Sequence, residues 1–190
     1  MTRREPHNDL MQLRPPAVIV ITGVMAAGKS TIAQKVAEQF PRSAHVRGDS
    51  FRRMVVGGRA EMTEPATVEA TAQLQLRYEL SARTADAYAA TGFVAVVQDI
   101  ILGEDLQPYM ASLSTTPRYL VVLAPRTDIV AQRERQRNKT GYGTDWTPES
   151  LAPHLWRGTP RDGLWLDTSE HTSEDTVAEL LARLPEARIG

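Results

Sequence analysis

The chain has 190 residues, carries a formal net charge of −1 and contains no cysteine. This length suits one domain with a full hydrophobic core, the missing cysteine excludes disulfides and thiolate metal sites, and the near-zero charge argues against a nucleic-acid partner. Residues 1–16 are polar and predict a flexible arm rather than a secretory signal, and the apolar runs are too short to cross a membrane. We therefore expect a cytoplasmic protein without a membrane or nucleic-acid partner, folded as a single domain over residues 17–190.

The first part of the chain predicts a strand, a glycine-bounded turn and a helix in succession. Residues 17–22 (AVIVIT) are an unbroken apolar run rich in β-branched side chains, which is typical of a strand buried on both faces. Residues 29–40 place apolar side chains at helical spacing and end at a proline. Residues 43–47 predict a second, shorter strand, and either Asp49 or Ser50 is a candidate cap for the helix that follows.

The middle of the chain alternates helical patterns with apolar strands. Residues 65–91 are rich in alanine, leucine, glutamine and glutamate, and they predict a long helix that ends at a glycine. Residues 93–98 and 118–123 predict the third and fourth strands, with a helix at 105–113 between them. The buried stripe expected on the long helix consists of Leu76, Leu80, Ala87 and Ala90.

The last part of the chain predicts a charged helix, a loop and a final strand and helix. Residues 127–138 form the charged helix, and the loop at about 138–147, which contains two glycines, is expected to serve as a small lid. Thr147 is the expected cap of the next helix, with a proline in its first turn. Residues 164–166 predict a fifth strand, and residues 172–184 predict the final helix.

Strands and helices alternate along the whole chain. This order is typical of an α/β protein with a parallel sheet, because parallel neighbours need crossover connections. We therefore predict a parallel five-stranded sheet with helices on both faces. Ligands bind such sheets at the carboxyl ends of the strands. The residues expected to border that crevice are Gly23, Gly48, Asp99 and Ala124.

The turn after the first strand carries a phosphate-binding motif. It fits G-x-x-x-x-G-K-[ST] without departure and lies between a buried strand and an amphipathic helix, the context that the motif requires. Glycines let the backbone curve around a phosphate, Lys29 places a cation on the β and γ phosphates of ATP, and the Ser30 hydroxyl binds Mg²⁺. The motif predicts a three-layer P-loop NTPase fold with ATP and Mg²⁺ as cofactors. The residues predicted to bind the nucleotide are Gly23, Val24, Met25, Ala26, Ala27, Gly28, Lys29, Ser30 and Thr31.

Other features distinguish among the classes of P-loop protein. A GTPase needs the guanine-reading string N-K-x-D, and the nearest match, residues 138–141, lacks the aspartate and follows a helix. Motor ATPases and AAA machines are usually larger and carry paired acids after a second strand, whereas this chain has one acid there, Asp99. An arginine-rich helix that leads into a flexible loop suits a small kinase better.

Five segments resemble small P-loop kinases of the nucleoside monophosphate kinase-like group, and most of all the chloramphenicol phosphotransferase-like proteins. The tunicamycin-resistance-type ATP-binding proteins are similar to a lesser degree. The resemblance covers about residues 17–185, and its first motif is specific whereas the others are short. It implies phosphoryl transfer to an antibiotic or a related natural product. The segments are GVMAAGKST (23–31), RGDSFRR (47–53), FVAVVQDIIL (93–102), VAQRERQRN (130–138) and the strings TP (159–160) and LWLDTS (164–169).

Four charged residues after the second and third strands are candidates for the acceptor site. A kinase that acts on an alcohol needs a carboxylate to orient the hydroxyl and accept its proton, and Asp49 is the candidate base, with a plain helix cap as the alternative. An acid at the matching place is the proposed base of the resembled phosphotransferases. Asp99 is expected to hold Mg²⁺ or to contact the acceptor, the alternative being a surface acid. Arg52 and Arg53 are candidates to line the acceptor pocket.

Several arginines are candidates to act on the nucleotide. Arg133 and Arg137 lie four residues apart and share a helix face, so both are candidate catalytic residues that close over the triphosphate and offset charge on the moving phosphoryl group. Arg135 points elsewhere, and a solvated charged helix is the alternative for all three. Arg126, just past the fourth strand, is a candidate to stack on adenine.

Together these residues predict an ATP- and Mg²⁺-dependent phosphotransferase whose partner is a small molecule with a hydroxyl acceptor. Lys29 and the lid arginines act on the phosphoryl group, and Asp49 activates the acceptor. A kinase of a nucleoside or a sugar acid is an alternative within the enzyme class. Two further alternatives to a small-molecule kinase are a non-catalytic ATP-binding protein that sequesters a toxic compound and a nucleic-acid end kinase. The acceptor and the oligomeric state are left open.

Overall fold

A computed structural model describes residues 15–136 and 146–190 of the chain. Its centre is a parallel sheet with the strand order β2-β3-β1-β4-β5, which confirms the predicted α/β fold with five parallel strands. The strands are β1 (Ala17–Thr22), β2 (Ser43–Arg47), β3 (Val94–Gln98), β4 (Arg118–Leu123) and β5 (Leu164–Leu166).

Strand β1 lies at the middle of the sheet and is buried along its whole length. Val20 pairs with Val97 of β3 on one side and with Leu120 of β4 on the other. A strand covered on both faces needs apolar side chains at successive positions, which explains the unbroken apolar run in the sequence. The carboxyl end of β1 therefore emerges between two neighbours, where a turn is held on both sides.

Helices cover both faces of the sheet. Helix α1 packs against β1 and β3 and contacts α7, whereas α3 packs against β2 and β3 and contacts α4. This arrangement gives the three layers that the sequence predicted. The helices are α1 (Lys29–Ala37), α2 (Gly48–Met54), α3 (Val68–Ala90), α4 (Leu106–Ser112), α5 (Thr127–Arg135), α6 (Pro148–Pro153) and α7 (Ser173–Ala182).

Two helix starts follow their sequence signals closely. Thr147 accepts a hydrogen bond from the backbone N–H of Ser150, and Thr172 accepts one from Asp175, so each threonine completes a capping box. The helix expected to begin at Thr147 ends at Pro153 and continues as a π-helical turn, His154–Gly158. Short 3₁₀ turns precede α4 and follow α7, at Gly103–Asp105 and Leu184–Ala187.

The buried stripe predicted for the long helix is wrong. Leu76, Ala87 and Ala90 are exposed in α3, and Leu80 is only half-buried. One tyrosine, one serine and four alanines are the buried residues of the helix instead. The buried residues of α3 are Ala70, Tyr78, Ser81, Ala82, Ala85 and Ala89.

The structure adds one strand that the sequence pattern did not indicate. Strand β6 (Arg188–Ile189) pairs antiparallel with β4, where Arg118 lies opposite Ile189. Two residues are too few to produce a periodic signal. In the described part of the chain, no helix is long and apolar enough to cross a membrane. The predicted arm at 1–16 falls outside the described residues except for its last two positions, and so does most of the expected lid.

Candidate nucleotide and acceptor site

The turn between β1 and α1 is curved by residues with positive φ. Gly23 has φ +145°, and a Cβ atom there would lie 2.5 Å from the carbonyl oxygen of Leu123 on β4. Ala26 and Gly28 have φ 60° and 95°, so the chain bends back toward its own start. Gly28 precedes the first residue of α1, and among the described side chains none caps that helix and no acid lies in its first turn. The amino end of α1 thus faces the loop, an arrangement that favours an anion.

The lysine and serine of the motif lie where the phosphates are expected. Lys29 is 8% exposed, and its Nζ donates a 2.7 Å hydrogen bond to the carbonyl oxygen of Val24, so the ammonium is folded into the loop. Ser30 is exposed, and its Oγ donates to Oε1 of Gln98 at 3.3 Å. The last residue of β3 therefore supports the serine hydroxyl from the adjacent strand.

These oxygen atoms fit a magnesium ion. A Mg²⁺ ion in a phosphate-transfer site is held by a few hard oxygen ligands together with substrate phosphates and water. The Ser30 hydroxyl and the Gln98 amide oxygen are such atoms, and they lie beside the phosphate loop. Across residues 15–136 and 146–190 there is no group of three or more histidine, cysteine, aspartate or glutamate residues that would hold a metal independently. The donor set thus suits a metal that arrives with the nucleotide.

Asp99 follows Gln98 and points to the opposite face of the sheet. Its side chain is fully buried and is paired with Arg77 of α3, whose Nε donates to Oδ2 at 2.7 Å and whose Nη2 contacts Oδ1. The backbone N–H of Ile100 donates a further bond of 2.7 Å to Oδ1. A side chain at Gly48 would collide with the Asp99 carboxylate, so the start of α2 lies directly against this pair. The predicted surface-acid alternative for Asp99 is therefore wrong.

Asp49 lies in the first turn of α2 and is exposed. The cap position belongs to Arg47, and no described side chain caps this helix, so the cap alternative for Asp49 is wrong. Oδ2 of Asp49 accepts a 2.6 Å bond from Nη2 of Arg53 one turn later. Arg52 points to the other side and pairs with Glu61.

Two of the arginines expected near the nucleotide contact the loop that follows β5. Arg133 is held by a 2.6 Å bond from its Nη2 to the carbonyl oxygen of Thr168, and burial lowers its pKa. Arg126 precedes α5 and pairs with Glu170, which lies in the loop that follows β5. Arg137 lies outside the described residues. Neither Arg126 nor Arg133 is among the described residues that line the cleft around Lys29.

A cleft of about 1250 Å³ joins the phosphate loop to the acceptor candidates. Its described lining includes Lys29, Ser30, Asp49, Arg52 and Asp99, but not Arg53. Asp49 and the phosphate loop thus meet at the carboxyl ends of β1, β2 and β3, as the strand order requires. Beyond them the cleft extends along α3 to Trp146, whose indole N–H donates to the carbonyl oxygen of Met62 at 2.9 Å.

Two residues of this site were not indicated by the sequence. Gln98 is a neutral residue at a strand end, and its role is visible only from its contact with Ser30. Arg77 occupies a mid-helix position among many polar residues, and only the packing of α3 on β3 brings it to Asp99. Asp99 at the end of β3 was a partial signal for Arg77, because a buried aspartate requires a cationic partner.

Comparison with known proteins identifies the family. Residues 18–152 match the family described as AAA domain, which is more than half of the chain. The chain belongs to the AAA domain family. No protein with a curated description matches the sequence.

Solved structures similar to this AAA domain chain include small kinases. A sugar kinase from Janibacter sp. HTCC2649, in an unliganded state, has a TM-score of 0.69 at 17% identity, covering 91% of this chain and 96% of that one. The APS kinase CysC from Mycobacterium tuberculosis, in complex with AMPPNP and APS, has a TM-score of 0.63 at 15% identity, covering 91% and 99%. The tunicamycin resistance protein of Deinococcus radiodurans has a TM-score of 0.61 at 11% identity, covering 92% and 98%.

These similarities confirm the P-loop fold. They extend over nearly the whole of each compared protein. At such low identities the likeness shows the fold alone. The resemblance to the chloramphenicol phosphotransferase-like subtype stays a prediction.

Proposed function

We propose that this AAA domain chain transfers the γ-phosphoryl group of ATP to a hydroxyl of a small molecule, with Mg²⁺ as cofactor. The observation that carries the proposal is that Lys29, Ser30 and Asp49 line one continuous cleft. Phosphoryl transfer needs a nucleotide phosphate and an oriented acceptor in line with each other, and a shared cleft provides this arrangement. The APS kinase of the same fold, solved with AMPPNP and APS, supports a nucleotide in this type of site.

The nucleotide half of the proposal rests on the phosphate loop. Residues 23–31 bind the phosphates through backbone N–H groups at the start of α1, and the Lys29 ammonium leaves the Val24 carbonyl to contact the β and γ phosphates. Ser30, supported by Gln98, holds Mg²⁺, which when bound neutralises phosphate charge. Arg126, beside the loop after β5, stacks on adenine.

The acceptor half rests on Asp49. Its carboxylate accepts the proton of the acceptor hydroxyl while the acceptor oxygen bonds to the γ phosphorus and the bond to the β-phosphate oxygen breaks. The Arg53 guanidinium holds Asp49 at 2.6 Å in the first turn of α2. Arg52 lines the acceptor pocket, and Asp99 supports its rear wall through Arg77.

Two further arginines complete the proposed mechanism. Arg133 and Arg137 offset charge on the moving phosphoryl group, as expected from their position before the lid. Because Arg133 bonds to the Thr168 carbonyl, it reaches the phosphates only after that bond is exchanged. Its removal should therefore affect the chemical step and the loop after β5 together.

The direct test measures Mg-ATP consumption with a panel of hydroxyl compounds, followed by mass spectrometry of the products. The panel contains chloramphenicol, aminoglycosides, nucleosides, sugar acids and nucleoside monophosphates. A product heavier by one phosphoryl group is expected for at least one acceptor class. ATP binding without acceptor-dependent turnover across the panel would count against the kinase and favour the sequestering alternative.

Variants separate catalysis from binding. Asp49→Asn should lower kcat about 10²- to 10⁴-fold, the range for a lost general base, with nucleotide affinity retained. Glu149→Gln is the matched control, because Glu149 is also an exposed acid in a first helical turn but lies on α6. Lys29→Met should weaken nucleotide binding measured by calorimetry. Equal turnover by Asp49→Asn and Glu149→Gln would remove Asp49 from the mechanism.

A further inference from the structure

The acceptor end of the cleft has mainly apolar walls. Beyond the phosphate loop it is bounded by the end of α2, residues 60–66, one side of α3 and the start of α6. Met54 is 68% exposed and Leu76 is 48% exposed, although both are large apolar side chains. Such exposure in a concave site marks a surface that a ligand covers. The apolar side chains that define the walls are Phe51, Met54, Leu74, Leu76, Leu80 and Trp146.

The cationic side chains at this end are already neutralised. In the described lining, the arginines and lysines other than Lys29 are Arg52 and Arg77. Arg52 pairs with Glu61, and Arg77 pairs with both oxygens of the buried Asp99 carboxylate. A carboxylate or phosphate on the acceptor would have to compete with these acids for the two guanidinium groups, and displacing Asp99 would leave a buried carboxylate without its cation.

Further acids line the same end of the cleft. Glu64 and Asp105 both face it, in addition to Asp49. An anionic acceptor would therefore lie near like charges, and like-charge proximity lowers affinity. The charge pattern thus disfavours sugar acids and nucleotides as acceptors, even though the apolar area suits a ring.

Resting on the proposed function, we propose that the acceptor is an uncharged alcohol with an apolar body of ring size. Its body lies between the exposed side of α3 and the end of α2, against Leu76 and Met54, and its hydroxyl reaches Asp49. Burial of the apolar surface of the acceptor then supplies the binding free energy, while the paired arginines and the acids weaken the binding of anions.

The experiment compares two ligands that share a ring and a secondary hydroxyl. The uncharged probe is 1-(2-naphthyl)ethane-1,2-diol, the anionic probe is 2-naphthylglycolate, and D-gluconate is a polar anion without a ring. Binding to the full chain saturated with Mg-AMPPNP is measured by calorimetry, and phosphorylation with Mg-ATP by mass spectrometry. The diol should bind at least tenfold more tightly than either anion. Equal or tighter binding of an anion, or no binding of the diol, would overturn the inference.

Variants on α3 locate the site. Leu76→Asp places an acid in the apolar wall and should weaken diol binding at least tenfold, whereas Leu76→Arg supplies an unpaired cation and should improve naphthylglycolate binding. Val68→Asp is the matched control on the same helix, since Val68 is 89% exposed and lies outside the described cleft lining. Equal effects of Leu76→Asp and Val68→Asp would contradict the placement.

The outcomes separate this inference from the proposed function. Phosphorylation of gluconate but not of the diol would leave the kinase intact and remove the uncharged acceptor. Tight binding of the diol, with no product from it or from any compound of the kinase panel, would leave the pocket chemistry intact and remove phosphoryl transfer.

Discussion

Replacing Arg77 by methionine tests the structural role of the buried ion pair. Methionine keeps much of the aliphatic length of Arg77 but leaves the Asp99 carboxylate without its cation. The Asp99 side chain is fully buried, and the Arg77 side chain is 15% exposed. The unfolded chain hydrates the carboxylate, whereas the folded variant cannot, so the variant should lose stability.

The size of that loss follows from the remaining contacts. Breaking a buried ion pair by removing one partner costs about 3–5 kcal/mol. Asp99 retains the bond from the Ile100 N–H, which places Arg77→Met near the lower end, at about 3 kcal/mol. Arg83→Met is the control, since Arg83 lies on the same helix and pairs with Glu79 at the surface, where a pair is worth about 0.2–1 kcal/mol.

The assay is urea unfolding followed by circular dichroism, with melting temperature as a second measure. A loss of about 3 kcal/mol corresponds to about 6–12 °C for a chain of this length. Adding Asp99→Asn to Arg77→Met removes the buried charge and should restore much of the loss. The reasoning is refuted if Arg77→Met costs no more than Arg83→Met, or if Asp99→Asn makes the double variant worse than the single one.

Three further predictions concern stability. Burial and the nearby Arg47 lower the pKa of His45 to about 4. Between pH 6.5 and 4 the unfolded state therefore binds a proton that the folded state does not, and the free energy of unfolding should fall by about 1 kcal/mol after discounting for exposure. His45→Gln should reduce the change of melting temperature with pH over this range. The hydrogen bond to Lys35 lowers the pKa of Glu174 to about 2, so this pair should stabilise the fold above about pH 4.5 and lose its effect toward pH 2. The melting temperature of Glu174→Gln should therefore fall less between pH 4.5 and pH 2 than that of the unmodified chain. Thr172→Ala removes the cap of α7 and should cost about 1 kcal/mol in urea unfolding, and an unchanged midpoint would contradict the capping box.

The fold was largely predictable because its signals are local. The apolar run of β1 and the capping threonine before α6 each lie within a few consecutive residues, and both are confirmed. The stripe of α3 was wrong because a pattern of leucines does not distinguish a sheet-facing side from a ligand-facing side. Leu76 faces the cleft, while Ala82 and Ala85 face the sheet.

The site was less predictable because its contacts join distant segments. The sequence placed acids at strand ends but not their partners, and Asp99 meets Arg77 across 22 residues of chain. Gln98 supports Ser30 from 68 residues away. Such pairs depend on how strands are ordered and how a helix crosses them, and neither has a signature in a single sequence.

The two sides of α3 have different contacts, and this difference has an evolutionary consequence. One side of the helix holds the sheet through Ala82, Ala85 and Ala89, and another side lines the acceptor cleft through Leu76 and Leu80. Substitutions at Leu76, which is 48% exposed, change solvent-accessible surface and leave the core untouched, so they carry little cost in stability. If the chain is the proposed kinase, its acceptor preference can therefore drift among its descendants, or be redirected in the laboratory, while the phosphate loop and the sheet remain as they are.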